Sequence, residues 1–75
     1  MVLARTAAGD LAVAYLPGDG AIEVDMTRLA PSLAGRWFDP VRGRYTLIAT
    51  SIENKGIRRF VPPAKGDWVL ILERK

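Results

Sequence analysis

Apolar and polar residues alternate along this chain in short runs, and turn residues interrupt them roughly every ten positions. Ala21 to Met26 gives the cleanest alternation. Ile22, Val24 and Met26 point one way and Glu23, Asp25 and Thr27 the other, as in a strand with one buried and one wet face. Leu11-Ala12-Val13-Ala14-Tyr15-Leu16 is apolar on both faces and predicts a central strand whose alanines lie opposite bulky neighbours. Trp68-Val69-Leu70-Ile71-Leu72 is an unbroken apolar run and predicts the most buried strand, dry on both sides. Met1 to Ala4 reads as an edge strand, and Ile57 to Val61 as a short strand stopped by Pro62-Pro63, which cannot donate to a ladder. Arg44 to Thr50 places Tyr45, Leu47 and Ala49 on one face and Thr46, Ile48 and Thr50 on the other.

Between these runs the punctuation is dense. Ala8-Gly9-Asp10, Pro17-Gly18-Asp19-Gly20 and Ala64-Lys65-Gly66-Asp67 are turn signals, and Ser51 to Gly56 reads as a loop. Thr27 to Ala30 has room for one helical turn before Pro31, and Pro31 to Ala34 reads as a connection. The tightest hairpin runs from Gly35 to Tyr45. Asp39 suits its first turn position, because a carboxylate there accepts from backbone N–H groups two residues on. Pro40 presets φ at the next position, and Gly43 tolerates the positive φ needed on re-entry. With Phe38 opposite Arg44, Trp37 falls opposite Tyr45 in an aromatic cross-strand pair.

About seven short strands result, and no segment keeps helical spacing over three turns. The pattern predicts an all-β fold, an antiparallel β-sandwich, with two packed sheets closing over the apolar strands. With 75 residues this is a single domain spanning the chain, and 49% hydrophobic composition is enough for a core. There are no internal repeats.

Composition excludes several chemistries. With no cysteine and no histidine, disulfides, thiolate sites and the common zinc constellations are ruled out, and the residues imply no metal or cofactor. The missing cysteines leave the compartment open; excision from a longer secreted parent fits as well as retention where the chain is made. No apolar run approaches the ~18 residues of a spanning helix, so no membrane partner is expected. The net charge of +3 is modest. Lys55, Arg58 and Arg59, with Arg42 and Arg44, are the residues of a nucleic-acid-binding small barrel. The interleaved acids and the opposite faces of Arg58 and Arg59 count against that alternative.

Catalytic constellations are equally poor. Asp10, Asp19, Asp39 and Asp67 sit in turn signals, where bonding the local backbone is the plain role. Glu23 and Asp25 share a wet face, where solvation outweighs a calcium or sugar contact. Ser32 and Ser51 have no histidine to activate them. Gly18-Asp19-Gly20 opens no helix and so forms no phosphate cradle. The expectation is a chain without an active site of its own, in which binding is the function to look for.

Three segments carry a family resemblance: Asp10 to Pro17; Arg36-Trp37-Phe38-Asp39-Pro40 through Gly43; and Phe60 through Pro63 with Gly66-Asp67-Trp68-Val69-Leu70. Together, in order and with compatible spacing, they resemble the small C-terminal domain family called "putative collagen-binding domain of a collagenase". The chain departs from the pattern at Val41-Arg42, where a small or hydroxyl residue is more usual, and at Ala64, where glycine is. The resemblance implies a β-sandwich without catalytic residues that accompanies a glycoside-hydrolase-like catalytic barrel domain, with polysaccharide or collagen as further partners. The residues singled out for binding or interdomain contact are Arg36, Trp37, Phe38, Arg44 and Tyr45. Alternation sends one of Trp37 and Phe38 inward and the other outward, where it can pair across strands, seal against a neighbouring domain or stack on a sugar ring.

Overall fold

The structure is a computed structural model that describes residues 2–5, 9–18 and 20–74. Met1, Ala8 and Asp19, on which parts of the edge-strand and turn expectations fall, lie outside the described residues. Seven strands are present among those described: β1 (Val2–Arg5), β2 (Leu11–Leu16), β3 (Ile22–Asp25), β4 (Leu33–Asp39), β5 (Arg44–Ile52), β6 (Ile57–Phe60) and β7 (Trp68–Arg74). A single 3-10 turn, Met26–Arg28, follows β3. All pairings are antiparallel. A five-stranded sheet runs β1-β2-β7-β4-β5, and β3 and β6 form a two-stranded sheet. The all-β antiparallel sandwich expected from the pattern is therefore present, with layers of unequal width.

The core lies between the layers because each inward row is apolar. Directly paired residues share a face. One inward row is Ala14, Leu70 and Trp37, and the next is Ala12, Leu72 and Gly35. The small β2 residues leave room for the leucines opposite. Ile22, Val24, Met26 and Phe60 close the core from the second layer, together with Leu29 and Ala30. Their wet neighbours Glu23, Asp25 and Thr27 are exposed, as alternation demands. Asp25 also starts the 3-10 turn, its carboxylate accepting from the Thr27 N–H at 3.0 Å.

Four expectations need correction. β4 begins at Leu33, so Leu33 and Ala34 belong to the strand and not to a connection. β5 runs on to Ile52, absorbing the start of the expected loop; Ile52 pairs with Leu33 and is buried, which draws the strand onward. The clean alternation along β5 fails at a bulge: the β4–β5 register shifts around Gly35, and both Ile48 and Ala49 pack against the core. Gly35 makes this crowding feasible, since a Cβ there would sit 2.7 Å from the Ile52 Cδ1 and 3.1 Å from the Leu72 Cδ2. Finally, β7 is not dry on both sides. Trp68, Leu70 and Leu72 are buried, but Val69 and Ile71 are only half-buried, because the second layer covers one face alone.

Candidate functional site

The hairpin register differs from the expected one by one residue. Asp39 pairs with Arg44, Phe38 with Tyr45 and Trp37 with Thr46. The reason is the Asp39 carboxylate. Asp39 stays in the ladder and is 6% exposed. Its Oδ1 accepts from the Val41 N–H at 3.0 Å and the Arg42 N–H at 3.3 Å, and its Oδ2 meets the Arg42 guanidinium at 3.1 Å. The Gly43 N–H closes the turn on the Asp39 carbonyl at 2.7 Å, with φ of 66° at Gly43. Only residues 40–43 are left to turn, one fewer than a Phe38–Arg44 pairing requires. Burial works against the charge on Asp39, but the Arg42 side chain and the two N–H donors outweigh it and hold its pKa below the ordinary carboxylate value.

This register divides the five residues singled out from the sequence. Trp37 points inward, 4% exposed, and meets Trp68 edge to face with ring centroids 6.3 Å apart. It is core, as is Trp68, whose indole N–H donates to the Ala64 carbonyl at 2.9 Å. Arg44 is exposed, but its pairing with buried Asp39 puts it on the same side as Trp37 and away from Phe38. Arg36, Phe38 and Tyr45 do come together on the outer face. Phe38 and Tyr45 form the aromatic pair that the sequence assigned to Trp37 and Tyr45, with centroids 4.8 Å apart. The Arg36 guanidinium lies 5.1 Å from the Tyr45 ring centre and makes an ion pair with Glu73.

Around these three lies a larger surface. Tyr15, Val69, Phe38 and Tyr45 form one continuous row across β2, β7, β4 and β5, and Val13, Ile71, Arg36 and Leu47 form the next. Tyr45 and Leu47, at the open β5 edge, are 61% and 65% exposed, and Tyr15 is 47% exposed. Val13 and Tyr15 of β2, Val69 and Ile71 of β7 and Leu47 of β5 were missed as site residues, although for β2 and β7 the signal was there: two runs apolar on both faces, of which a two-layer fold can cover only one. At one end of the first row the Tyr15 hydroxyl donates to the Asp67 carboxylate at 3.0 Å, and the Gly18 N–H donates to that same carboxylate at 2.9 Å. The hydrogen bond to Asp67 raises the Tyr15 pKa above the ordinary phenol value.

Elsewhere the charged residues are scattered. Asp25 is held below the ordinary carboxylate pKa chiefly by the Thr27 hydroxyl and N–H, and it pairs with Arg28 at 3.6 Å. Lys55 pairs with Glu53 at 3.4 Å, Arg58 lies over the Phe60 ring and Arg59 is opposite Glu23. Among the described residues no group of three or more acidic, histidine or cysteine side chains could hold a metal ion.

A solved structure described as "Glycoside hydrolase" superposes with a TM-score of 0.75 at 19% sequence identity. The match covers 89% of this chain but 16% of that one, so the shared fold is a small part of a much longer protein. No curated protein matches the chain. The sequence profile described as "Putative collagen-binding domain of a collagenase" matches residues 1–73, and the chain belongs to that family.

Proposed function

We propose that this chain is a non-catalytic accessory domain, packing on the catalytic barrel of a glycoside-hydrolase-like polypeptide. The observation that carries this is the unequal sandwich, in which β2, β7, β4 and β5 present a largely apolar outer face that no third layer covers among the described residues. A sheet whose two faces are both apolar normally has both covered. The occurrence of the fold within a longer glycoside hydrolase chain supplies a setting in which a neighbouring domain does the covering. The aliphatic centre of the face, Val13, Val69 and Ile71, suits a dry protein contact better than a polysaccharide, which needs several polar groups beside its aromatic platform. The carboxylates support the non-catalytic part: Asp39 bonds its own turn, Asp25 caps the 3-10 turn, and Asp67 ties the distant Gly18 N–H and Tyr15 hydroxyl to the start of β7.

The test uses the complete polypeptide in which the chain is encoded, with and without residues 1–75. Removal is expected to lower the melting temperature and soluble yield of the remaining domain. The 75-residue chain alone is expected to show no turnover on a panel of aryl glycosides. Turnover by the isolated chain, or a reading frame with no second domain, refutes the proposal.

A further inference from the structure

Building on the accessory reading, we infer that the docking surface is the outer face of β2, β7, β4 and β5 together with the β5 edge. Its occupant is an apolar patch of the same polypeptide that presents one hydrogen-bond acceptor to Arg36. Three observations lead there.

The first is size. Four strands spaced ~4.8 Å apart, each contributing five residues at ~3.3 Å, make a footprint on the order of 300 Å². A stable interface between free proteins takes about 800 Å² from each partner. The face is therefore too small to hold a second copy or a freely diffusing protein, and large enough for a domain that a linker keeps at an effective concentration of about millimolar.

The second is the gradient of exposure. Along the row Val13, Ile71, Arg36 and Leu47, the first three are half-buried and Leu47 is 65% exposed; in the adjoining row Phe38 is half-buried and Tyr45 61% exposed. The most exposed apolar members thus stand on the strand with a free edge. That edge is nine residues long, while β1, the opposite edge, has four. Long, uncharged edges invite pairing unless something covers them, and β5 carries one charge, Arg44, at its start. A cover that seats on the rows and overlaps β5 removes both liabilities together.

The third is Arg36. It sits between Ile71 and Leu47 in the middle of the face, fixed by Glu73 and by the Tyr45 ring. A guanidinium has five N–H donors, and a single carboxylate does not use them all. Covering the face strands the remaining donors unless the partner supplies a carbonyl or carboxylate oxygen, because buried donors left unpaired oppose association. The Arg36–Glu73 pair is already neutral overall, so the acceptor answers geometry more than net charge.

The experiment compares the complete polypeptide with its Tyr45→Glu, Leu47→Glu and Arg36→Met variants, and with Ile57→Glu on exposed β6 as control. Both β5 positions are exposed, so the domain is expected to fold in these variants, as reported by the fluorescence of Trp37 and Trp68. In the parent polypeptide the domain and its neighbour should unfold in one calorimetric transition. Tyr45→Glu and Leu47→Glu should each split it in two, Arg36→Met should weaken the docking equilibrium ~10-fold, and Ile57→Glu should leave it single. Splitting by Ile57→Glu alone, or by none of the variants, overturns the assignment of this face. Sedimentation of the isolated chain at ~100 μM should give a monomer; a dimer dissociated by Leu47→Glu overturns the tethered occupant. A polypeptide without a second domain instead refutes the accessory reading itself, before any variant is made.

Discussion

Adjacent positions Trp37 and Phe38 should respond very differently to truncation, and their difference measures the register of the central hairpin. Trp37 is almost wholly buried and contacts Trp68 edge to face. Trp37→Ala leaves a cavity that neighbouring strands fill only in part, and such truncations cost about 3–5 kcal/mol. Phe38 is half-buried on the outer face against Tyr45. Phe38→Ala loses about half of the 1.5–3 kcal/mol of full burial and a cross-strand pair of about 0.2–1 kcal/mol, or roughly 1–2 kcal/mol in all. A chain of 75 residues has a total stability of about 4–11 kcal/mol. Trp37→Ala therefore consumes much of it and Phe38→Ala a small share.

Urea titration of the isolated chain, followed by Trp68 fluorescence and far-ultraviolet circular dichroism, gives both values. With a slope of about 1 kcal/mol per molar, the midpoint should fall by about 3 M or more for Trp37→Ala and by about 1–2 M for Phe38→Ala. If Trp37→Ala leaves no cooperative transition, Trp37→Phe replaces it and should still cost more than Phe38→Tyr. Equal losses, or a larger loss at Phe38, would mean that β4 presents its other face to the core. That result would refute both the four-residue turn and the outer face built on it.

Three further outcomes follow from local geometry. Gly35→Ala should destabilise by about 1–3 kcal/mol through overpacking, because its methyl would press on the Ile52 and Leu72 side chains; in the Ile52→Val background, which removes the nearest atom, a double-mutant cycle should show most of that cost relieved. The folded-state pKa of Asp39 lies below its unfolded value, so its contribution is present above the unfolded carboxylate pKa and fades as pH falls through the folded one. Asp39→Asn should lower the melting temperature at pH 7 and flatten its decline between pH 5 and pH 2 (both pH values approximate); an unchanged acid limb would exclude the turn carboxylate as its source. Ser32 has φ of 59°, a left-handed conformation that costs a side chain about 1 kcal/mol, so Ser32→Gly should raise the urea midpoint or leave it unchanged.

Strand number, antiparallel class and the inward residues of β3 were legible because alternation and turn chemistry act over a few residues. Ile22 and Val24 are buried as their spacing requires, whereas the unbroken apolar runs of β2 and β7 left open which side faces in. The outcomes that were not legible depend on single backbone steps. Whether Asp39 opens the turn or ends the ladder shifts every pairing of the hairpin by one residue, and that step put Phe38 instead of Trp37 opposite Tyr45. The bulge beside Gly35 likewise turns both Ile48 and Ala49 to the core, which no period-two reading of β5 anticipates. Of the five residues proposed for contact, three share the outer face because Arg36, Phe38 and Tyr45 fall in adjoining register rows; Trp37 and Arg44 lie on the other side by parity.

The composition of β2 and β7 links these points to function. A central strand that is apolar on both sides suits a sheet with a layer over each face. Here the second sheet has two strands against five, and it covers the inner side only. Val13, Val69 and Ile71 therefore contribute little to the isolated fold beyond their half-burial, yet they are the residue types that an interior requires. Polar replacements at these positions would serve a solitary domain better, since a smaller apolar patch lowers the tendency to associate. On the proposed accessory reading, their presence fits an outer face that is part of a shared interior. The same surplus of apolar positions that suggested a buried strand in the sequence thus becomes, once the two-strand layer is seen to shield one side, the physical case for a covalently linked neighbour.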